Sequence, residues 1–455
     1  MLTAELLSRI QFAFTISFHI IFPAFSIGLA TFLLIMETLW LITKKALYLS
    51  ICKFWLKVFA LTFGMGVISG IVMEFQLGTN WSGYTHAAGP VLGSLFTYEV
   101  LTAFFIEAGF LGVMIFGWNR VPPVLHYLAT LLVAFGVTLS GFWILSANSW
   151  MQAPAGAVLE QGHFVVNDWW QVIFNPMVGP RYLHMMLAAY LTTLFVIAGV
   201  AAYYLLKKQH TAFSKKCFSF ATWGILILII AQFLAGDGVG LDVHKHQPIK
   251  TAAIEGVWNT QKGAPLLLFA VPDQQQARNL FSLGIPYGAS LINTHKLDGE
   301  IQGLKSVPAE DRPYVPLVFY SFRLMVGIGV LMLGIALVGL YLRWRKRLFD
   351  RPWFLKTCIL ASPLGFIAIV AGWFTAETGR QPWVVYGLLR TSEAASQVSV
   401  GEVLTSLIVL ILIYALIFGI FYFRYLTRII KAGPAATVPV EQPFAYMHQP
   451  EKEIN

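Results

Sequence analysis

Charge is what this sequence has least of. Asp, Glu, Lys and Arg make up 12% of its 455 residues, against 57% hydrophobic ones, and the mean hydropathy is +0.69, which excludes an ordinary soluble fold. Cysteine is scarcer still. Cys52, Cys217 and Cys358 show no paired spacing, so neither a disulfide framework nor a Cys-x-x-Cys-His haem attachment is supported, and any haem is held non-covalently. A basic leader is missing ahead of the first apolar stretch, which is also too long for the apolar region of a cleaved signal, so it reads as a retained span. No internal repeat is present.

What is there is apolar sequence in long runs. Nine stretches, near 10–42, 54–79, 94–116, 125–147, 181–206, 217–236, 318–342, 355–375 and 402–426, can each cross a hydrocarbon core of ~30 Å as a helix. They predict an all-α integral membrane protein of about nine transmembrane helices. The chain divides into helices 1–6 over 1–236, an outer loop over 237–316 that can touch lipid-soluble partners, helices 7–9 over 317–431, and a Pro- and Ala-rich tail over 432–455 expected to be disordered. Alternate connections collect the basic residues: Lys44, Lys45, Lys53 and Lys57; Arg120; Lys207, Lys208, Lys215 and Lys216; Arg343, Arg345, Lys346, Arg347, Arg351 and Lys356; Arg424, Arg428 and Lys431. The connections of opposite parity hold chiefly Arg181, Arg380 and Arg390, which places the N-terminus outside and the C-terminus in the cytoplasm. The net charge of +9 is thus a topology signal and does not argue for nucleic acid. Between spans four and five, 148–180 carries tryptophans suited to the headgroup region.

A charged side chain at the centre of a spanning helix costs ~2.5–3.5 kcal/mol, so each one needs a partner or a task. The candidates are His19 in the first span, Glu74 in the second, Glu99 and Glu107 in the third, Ser140 in the fourth, His184 in the fifth, Arg323 and Met325 in the seventh, and Glu377 and Arg380 closing the eighth. Glu99 and Glu107, eight residues apart, stand ~12 Å apart along a helix and about 80° around it. With the orientation above, His19, Glu99, His184, Met325 and Glu377 share the outer half of the membrane. Plainer readings exist for each. A membrane histidine is often a helix-packing hydrogen bonder, a methionine is filler, Glu377 pairs with Arg380 at the interface, and Glu99 with Glu107 equally serves a proton-coupled transporter. His244 and His246 lie in a polar stretch without a third ligand and read as solvated; His86, His126, His163, His210, His295 and His448 form no pattern. Taken as a layer, the set suggests haem chemistry, in which His and Met are axial ligands and a single His or weak carboxylate leaves iron an open position.

Four motifs carry a resemblance. GWFTAETGRQPW at 372–383, QFAFTISFHIIFPAFSIG at 11–28, NSWMQ at 148–152 and KTAAIE at 250–255 resemble subunit I of the cytochrome bd-type quinol oxidases, over essentially the whole chain from Leu6 to about Phe423. The resemblance implies that His184 and Met325 are the axial ligands of a low-spin b haem. It makes His19 and Glu377 the protein ligands of two high-spin haems, in either assignment, giving two b-type haems and one haem d, or a third b-type haem. Glu99 is then a distal ligand at the oxygen-binding haem, with Glu107 and Ser140 on a proton route to it. Arg323, Trp373 and Arg380 surround haem propionates and edges, and Lys250 and Glu255 face the quinol. Only about sixty residues separate Glu255 from the seventh span, as in the short-loop branch, some of whose members resist cyanide. The implied activity is quinol oxidation at the outer face coupled to reduction of oxygen to water with cytoplasmic protons, building a membrane potential without pumping. The implied setting is the bacterial cytoplasmic (inner) membrane, with multiple passes, a second membrane subunit, room for a small accessory subunit, and lipid, quinol and oxygen as partners. The rival is a transporter using Glu99 and Glu107, which does not need His184, Met325 and Glu377 to converge.

Overall fold

The structure is a computed structural model that describes residues 3–435. Among them, nine helices are long and apolar enough to cross a membrane: α1 (Ala4–Thr43), α2 (Ala46–Thr79), α3 (Ser82–Phe116), α4 (Pro123–Gln152), α5 (Val178–Leu206), α6 (Thr211–His246), α7 (Val315–Trp344), α8 (Pro352–Gly379) and α9 (Val400–Ala432). The membrane part is all α, as expected. Short turns join the helices at one end, the basic face, which carries Lys44, Lys45, Arg120, Lys207, Lys208 and the run from Arg345 to Arg351. At the other, the loop face, where α1 begins, longer segments join α4 to α5, α6 to α7 and α8 to α9, while Asn80 and Trp81 alone join α2 to α3.

Local sequence sets the helix ends and breaks. Thr3 caps α1, its hydroxyl accepting from the Leu6 amide at 3.1 Å, and Ser399 with Glu402 forms a capping box at α9. Within α1 the helix is interrupted at Ile20. The cause is Pro23, which lacks an N–H and crowds the carbonyl four residues back, that of His19. Pro363 interrupts α8 in the same manner, between Ala361 and Leu364.

The sixth span overruns its expected end. The helix continues from 236 to His246, because hydropathy falls over GDGVGLDVHKH while the backbone bonds persist. The boundary expected at 236 therefore lies inside α6, and His244 and His246 close that helix, half-buried, where a solvated loop was expected. Beyond them the loop-face segment is ordered: a short helix, Pro248–Glu255, an antiparallel hairpin of Leu266–Asp273 with Arg278–Ile285, and a two-residue pairing of Gln261–Lys262 with Glu300–Ile301. Its apolar piece PLLLFAV becomes the first strand of the hairpin. The tail expected over 432–455 lies, from 436 on, outside the described residues.

Packing places α5 at the centre. Along it Ala189, Ile197 and Ala202 are inaccessible to solvent, and one continuous apolar core runs through α1, α2 and α4–α8 and takes in Met114 of α3. Close approach depends on small residues, as is usual between membrane helices: a Cβ at Gly28 of α1 would lie 1.9 Å from the Thr193 hydroxyl on α5. Aromatic rungs repeating every fourth residue hold α9 to α1, with ring centroids of Phe14 and Tyr414 5.6 Å apart, Phe18 and Phe418 6.0 Å, and Phe22 and Tyr422 5.2 Å. By contrast α3 packs on one side only, leaving Leu101, Phe105 and Phe116 exposed.

Candidate functional site

The densest polar cluster lies where α4, α5, α8 and the Pro248–Glu255 helix meet at the loop face. Glu377, in the last turn of α8, receives four donors. Asn148 Nδ2 and Gln152 Nε2 reach Oε1 at 3.0 Å each, and Arg380 donates to Oε2 through both Nε and its terminal nitrogen. Arg380 also donates to the Val384 carbonyl. Arg181 on α5 binds Ser149 Oγ at 2.9 Å and Asn148 Oδ1 at 2.5 Å, and Lys250 Nζ binds Gln152 Oε1 at 2.5 Å. NSWMQ is therefore the scaffold that joins one buried carboxylate to three buried cations. Trp373, one turn before Glu377, lies with its ring centroid 6.5 Å from that of Phe12, the rings tilted by 42°.

Burial beside Arg181 drives Lys250 well below the ordinary lysine range, an effect that Glu377 opposes. The folded chain then holds fewer protons than the unfolded chain between that lowered value and the ordinary ~10.4 of lysine, so stability rises with pH across this window. Lys250→Met is expected to flatten that part of the curve of unfolding temperature against pH, while the parent protein gains stability towards alkaline pH.

Lys250 and Glu255 do not face one ligand from one side. Five residues apart on a helix, they point about 140° apart, Lys250 into the cluster above and Glu255 away from it. Glu255, only 2% exposed, accepts from Arg323 at 3.0 Å on Oε2 and from Asn293 at 3.1 Å on Oε1. Arg323 is committed in turn to the Leu267 and Ile254 carbonyls at 2.7 and 3.0 Å, with Phe319 beneath the guanidinium at 4.5 Å. Arg323 thus ties α7 to the loop-face segment and is not in contact with the Glu377 cluster.

His184 and Met325 stand against glycines of neighbouring helices. A Cβ at Gly236 of α6 would lie 3.3 Å from His184 Cε1, and one at Gly372 of α8 would lie 2.7 Å from Met325 Sδ. One turn before Gly236, Gln232 approaches the imidazole nitrogens at 3.2 and 3.3 Å, while its own Oε1 is buried without a partner. His19, at the break in α1, bonds through Nδ1 to Ser69 Oγ of α2 at 3.0 Å. That hydroxyl has one hydrogen, shared between the Met65 and Gly66 carbonyls at 2.9 and 3.0 Å. With that hydrogen on either carbonyl, Nδ1 is the donor and the Nε2 lone pair is left free.

Glu99 and Glu107 sit closer in angle than regular helix geometry allows. Between them Val100–Phe104 forms a π-helical turn, with the Phe105 amide bonding back to the Val100 carbonyl. One additional residue in a turn makes the eight-residue step behave as seven, moving the pair from about 80° apart to about 20°. Both accordingly face α4: Ser140 Oγ donates to Glu99 Oε1 at 2.7 Å, and four residues earlier Gly136 abuts Glu107, where a Cβ would lie 2.7 Å from Cγ. Glu107 is 5% exposed, and its Oε1 has no hydrogen-bond partner.

These donors fit iron that brings its own equatorial ligands. Among the described residues no three His, Cys, Asp or Glu side chains gather as a metal site, whereas single axial donors are what a haem requires. The free Nε2 of His19, the glycine-flanked His184 and Met325, and the unpartnered Gln232 Oε1 suit it. So does the surplus of Arg181, Lys250 and Arg380 over Glu377, which two propionates would neutralise. Glu377 fits less simply, since a carboxylate offers about four lone-pair directions and four donors use them here. The plain pairing of Glu377 with Arg380 is present.

Residues not among the candidates drawn from the sequence complete the site. Arg181, Asn148, Gln152, Asn293 and Gln232 are identified by contact alone, although two of them lie inside a quoted motif. At the basic face, Glu37 and His126 form a buried pair at 2.7 Å where the sequence offered no pattern.

The family model described as cytochrome bd terminal oxidase subunit I matches residues 7–434. The cytochrome bd ubiquinol oxidase subunit 1 of Bacillus subtilis (strain 168) is 39% identical, the match covering 96% of this chain and 97% of that protein. The cytochrome bd-II ubiquinol oxidase subunit 1 of Escherichia coli (strain K12) is 34% identical, covering 96% and 98%. The bd oxidase structure from Geobacillus thermodenitrificans superposes with a TM-score of 0.89 at 30% identity, covering 95% of this chain and 99% of that one.

Proposed function

The chain belongs to the cytochrome bd terminal oxidase subunit I family, and from that premise we propose that it is the haem-bearing subunit of a quinol:oxygen oxidoreductase with its quinol site at the loop face. It is a multi-pass membrane protein of a respiratory oxidase family. The single observation that carries the reading is the buried cluster of three cations around one carboxylate, flanked by lone axial donors on separate helices.

When bound, haem supplies iron that changes oxidation state and a ring across which an electron spreads. His184 and Met325 would hold the low-spin b haem through its iron. His19 Nε2 and Glu377 hold the two high-spin haems, in either assignment, the third haem being of b or d type. For Glu377 this means exchanging one donor, and Oε1, shared by two neutral amides, is the oxygen that does so. Ser69 fixes the His19 tautomer, and Arg181, Lys250 and Arg380 bind propionates, with Trp373 packing at a ring edge.

Glu255, kept near Arg323 and Asn293, accepts a proton from quinol and releases it at the loop face; Lys250 orients the quinol side of the cluster. Glu107, Ser140 and Glu99 carry protons towards the site of water formation, Glu99 lying nearest the oxygen. With the basic face in the cytoplasm, those protons cross much of the bilayer, so charge moves without pumping. The exposed side of α3 supports contact with a second membrane subunit. A bacterial cytoplasmic membrane provides the quinol, the lipid and the proton gradient.

A visible absorption spectrum of the purified complex, dithionite-reduced minus oxidised, tests this. The expected result is one low-spin b signal with two high-spin contributions, the d band present or replaced by b. A colourless preparation would favour the proton-coupled transporter.

A further inference from the structure

Three buried side chains at the basic face take no part in the chemistry above. Glu37 on α1 and His126 on α4 are each 2% exposed, and Thr130, one turn on, is 1% exposed. His126 Nδ1 lies 2.7 Å from Glu37 Oε1, Thr130 Oγ1 donates to Oε2 at 2.6 Å, and His126 Nε2 lies 3.1 Å from the Met114 carbonyl of α3. The Trp118 indole covers the imidazole, ring centroids 3.9 Å apart. Other titratable groups nearby are Lys53 and Cys52 of α2 and Tyr127 of α4, whose hydroxyl lies 3.3 Å from Thr38 Oγ1. Lys53 Nζ stands 5.7 Å over the Trp118 ring, and the Cys52 thiol points at the Leu33 carbonyl one turn from Glu37.

The proton count follows from the bonding. A carbonyl oxygen only accepts, so Nε2 carries a hydrogen. One further proton then occupies the contact between Nδ1 and Oε1, as imidazolium beside carboxylate or as imidazole beside carboxylic acid. Either way the pair stores one proton at no net charge. As a clamp between helices it has little to recommend it, since well-packed apolar residues of similar volume hold as well or better than a buried ion pair.

Its position gives it a use. His126, Thr130 and Ser140 fall within about 80° on α4, and Met114 lies two turns, ~10 Å, from Glu107 on the same side of α3. The pair therefore ends the α3–α4 seam that carries Glu107 and Glu99. From Thr130 to Gly136, which abuts Glu107, the axial distance is ~9 Å, past Val133 and Ala134, and the unpartnered Glu107 Oε1 can receive a proton.

We propose that Glu37 and His126 form the proton-storing pair that reloads Glu107. A proton leaves the pair, crosses by water to the Glu107 carboxylate, and leaves neutral imidazole beside carboxylate; one proton from the basic face then restores the pair. This rests on the reading that Glu107 lies on the proton route.

The test is quinol-driven oxygen uptake by the complete complex in liposomes, measured across pH, with the haem spectrum of each variant as control. Glu37→Gln and His126→Gln are expected to keep the parent spectrum and to slow turnover at least about tenfold at alkaline pH, where protons are scarce, and less at acid pH. Glu37→Asp should restore part of the rate. Thr130→Val, which removes one bond to the same carboxylate, should show a smaller loss with the same pH trend and serves if the glutamine variants fail to assemble. A loss equal at every pH and not restored by Asp would identify a structural clamp and overturn the proposal. Parent-like profiles in all these variants alongside an impaired Glu107→Gln would overturn it while leaving the Glu107 route standing; an unimpaired Glu107→Gln would remove the route itself.

Discussion

Replacing Arg380 with glutamine is expected to lower stability by about 3 kcal/mol, the lower end of the cost of removing one partner of a buried ion pair, because Arg181 and Lys250 remain near the Glu377 carboxylate. Arg380 is 6% exposed and Glu377 12%, so water cannot take over the two guanidinium bonds to Oε2. Asn148 and Gln152 still hold Oε1 but carry no charge, and Arg181 and Lys250 bond to those amides and to Ser149, so neither replaces the lost contact with Oε2. Lysine at 380 keeps the charge and loses the two-pronged geometry and the bond to the Val384 carbonyl, so its loss should be intermediate. The decisive comparison is the pair of variants Arg380→Gln and Arg380→Gln with Glu377→Gln. If the stranded charge is the cause, the second substitution recovers most of the fall in unfolding temperature, a coupling that a mere packing defect would not show.

Replacing His184 with alanine is expected to abolish the low-spin b signal and to reduce quinol-driven turnover to background. Gly236, Gln232 and the imidazole fit together tightly on α5 and α6, and no other imidazole approaches that position among the described contacts. Met325→Leu keeps the volume and removes the sulfur, so it should convert the signal to a five-coordinate one without unfolding the bundle. The signals assigned to His19 and Glu377 should persist in both variants, which separates loss of one ligand from general collapse. A parent spectrum in His184→Ala would assign the low-spin iron elsewhere.

The nine spans were legible because lipid imposes a length and an apolarity that any sequence must meet. The sixth was cut short where helix and hydropathy part company, at Gly236. Helical arithmetic placed Glu99 and Glu107 on one helix but misjudged their angle, since a π-helical turn leaves no mark on a pattern assumed to repeat every 3.6 residues. The same arithmetic, applied to Lys250 and Glu255, shows that they point apart; a motif alone presents them together. Contacts across long separations left no trace at all: Glu37 and His126 are 89 residues apart, and Arg323 and Glu255 are 68 apart. Each of those groups looks ordinary in its own segment. A charged residue in a membrane helix signals that a partner exists, and only the fold identifies it.

On the proposed function, this chain with a second membrane subunit couples quinol oxidation to oxygen reduction. Oxygen consumption by the purified complex on addition of quinol tests it most directly. Uptake is expected to require quinol, to yield water and to disappear in His184→Ala. Oxygen left unconsumed by a preparation with the full haem spectrum, or uptake unchanged in His184→Ala, would contradict it.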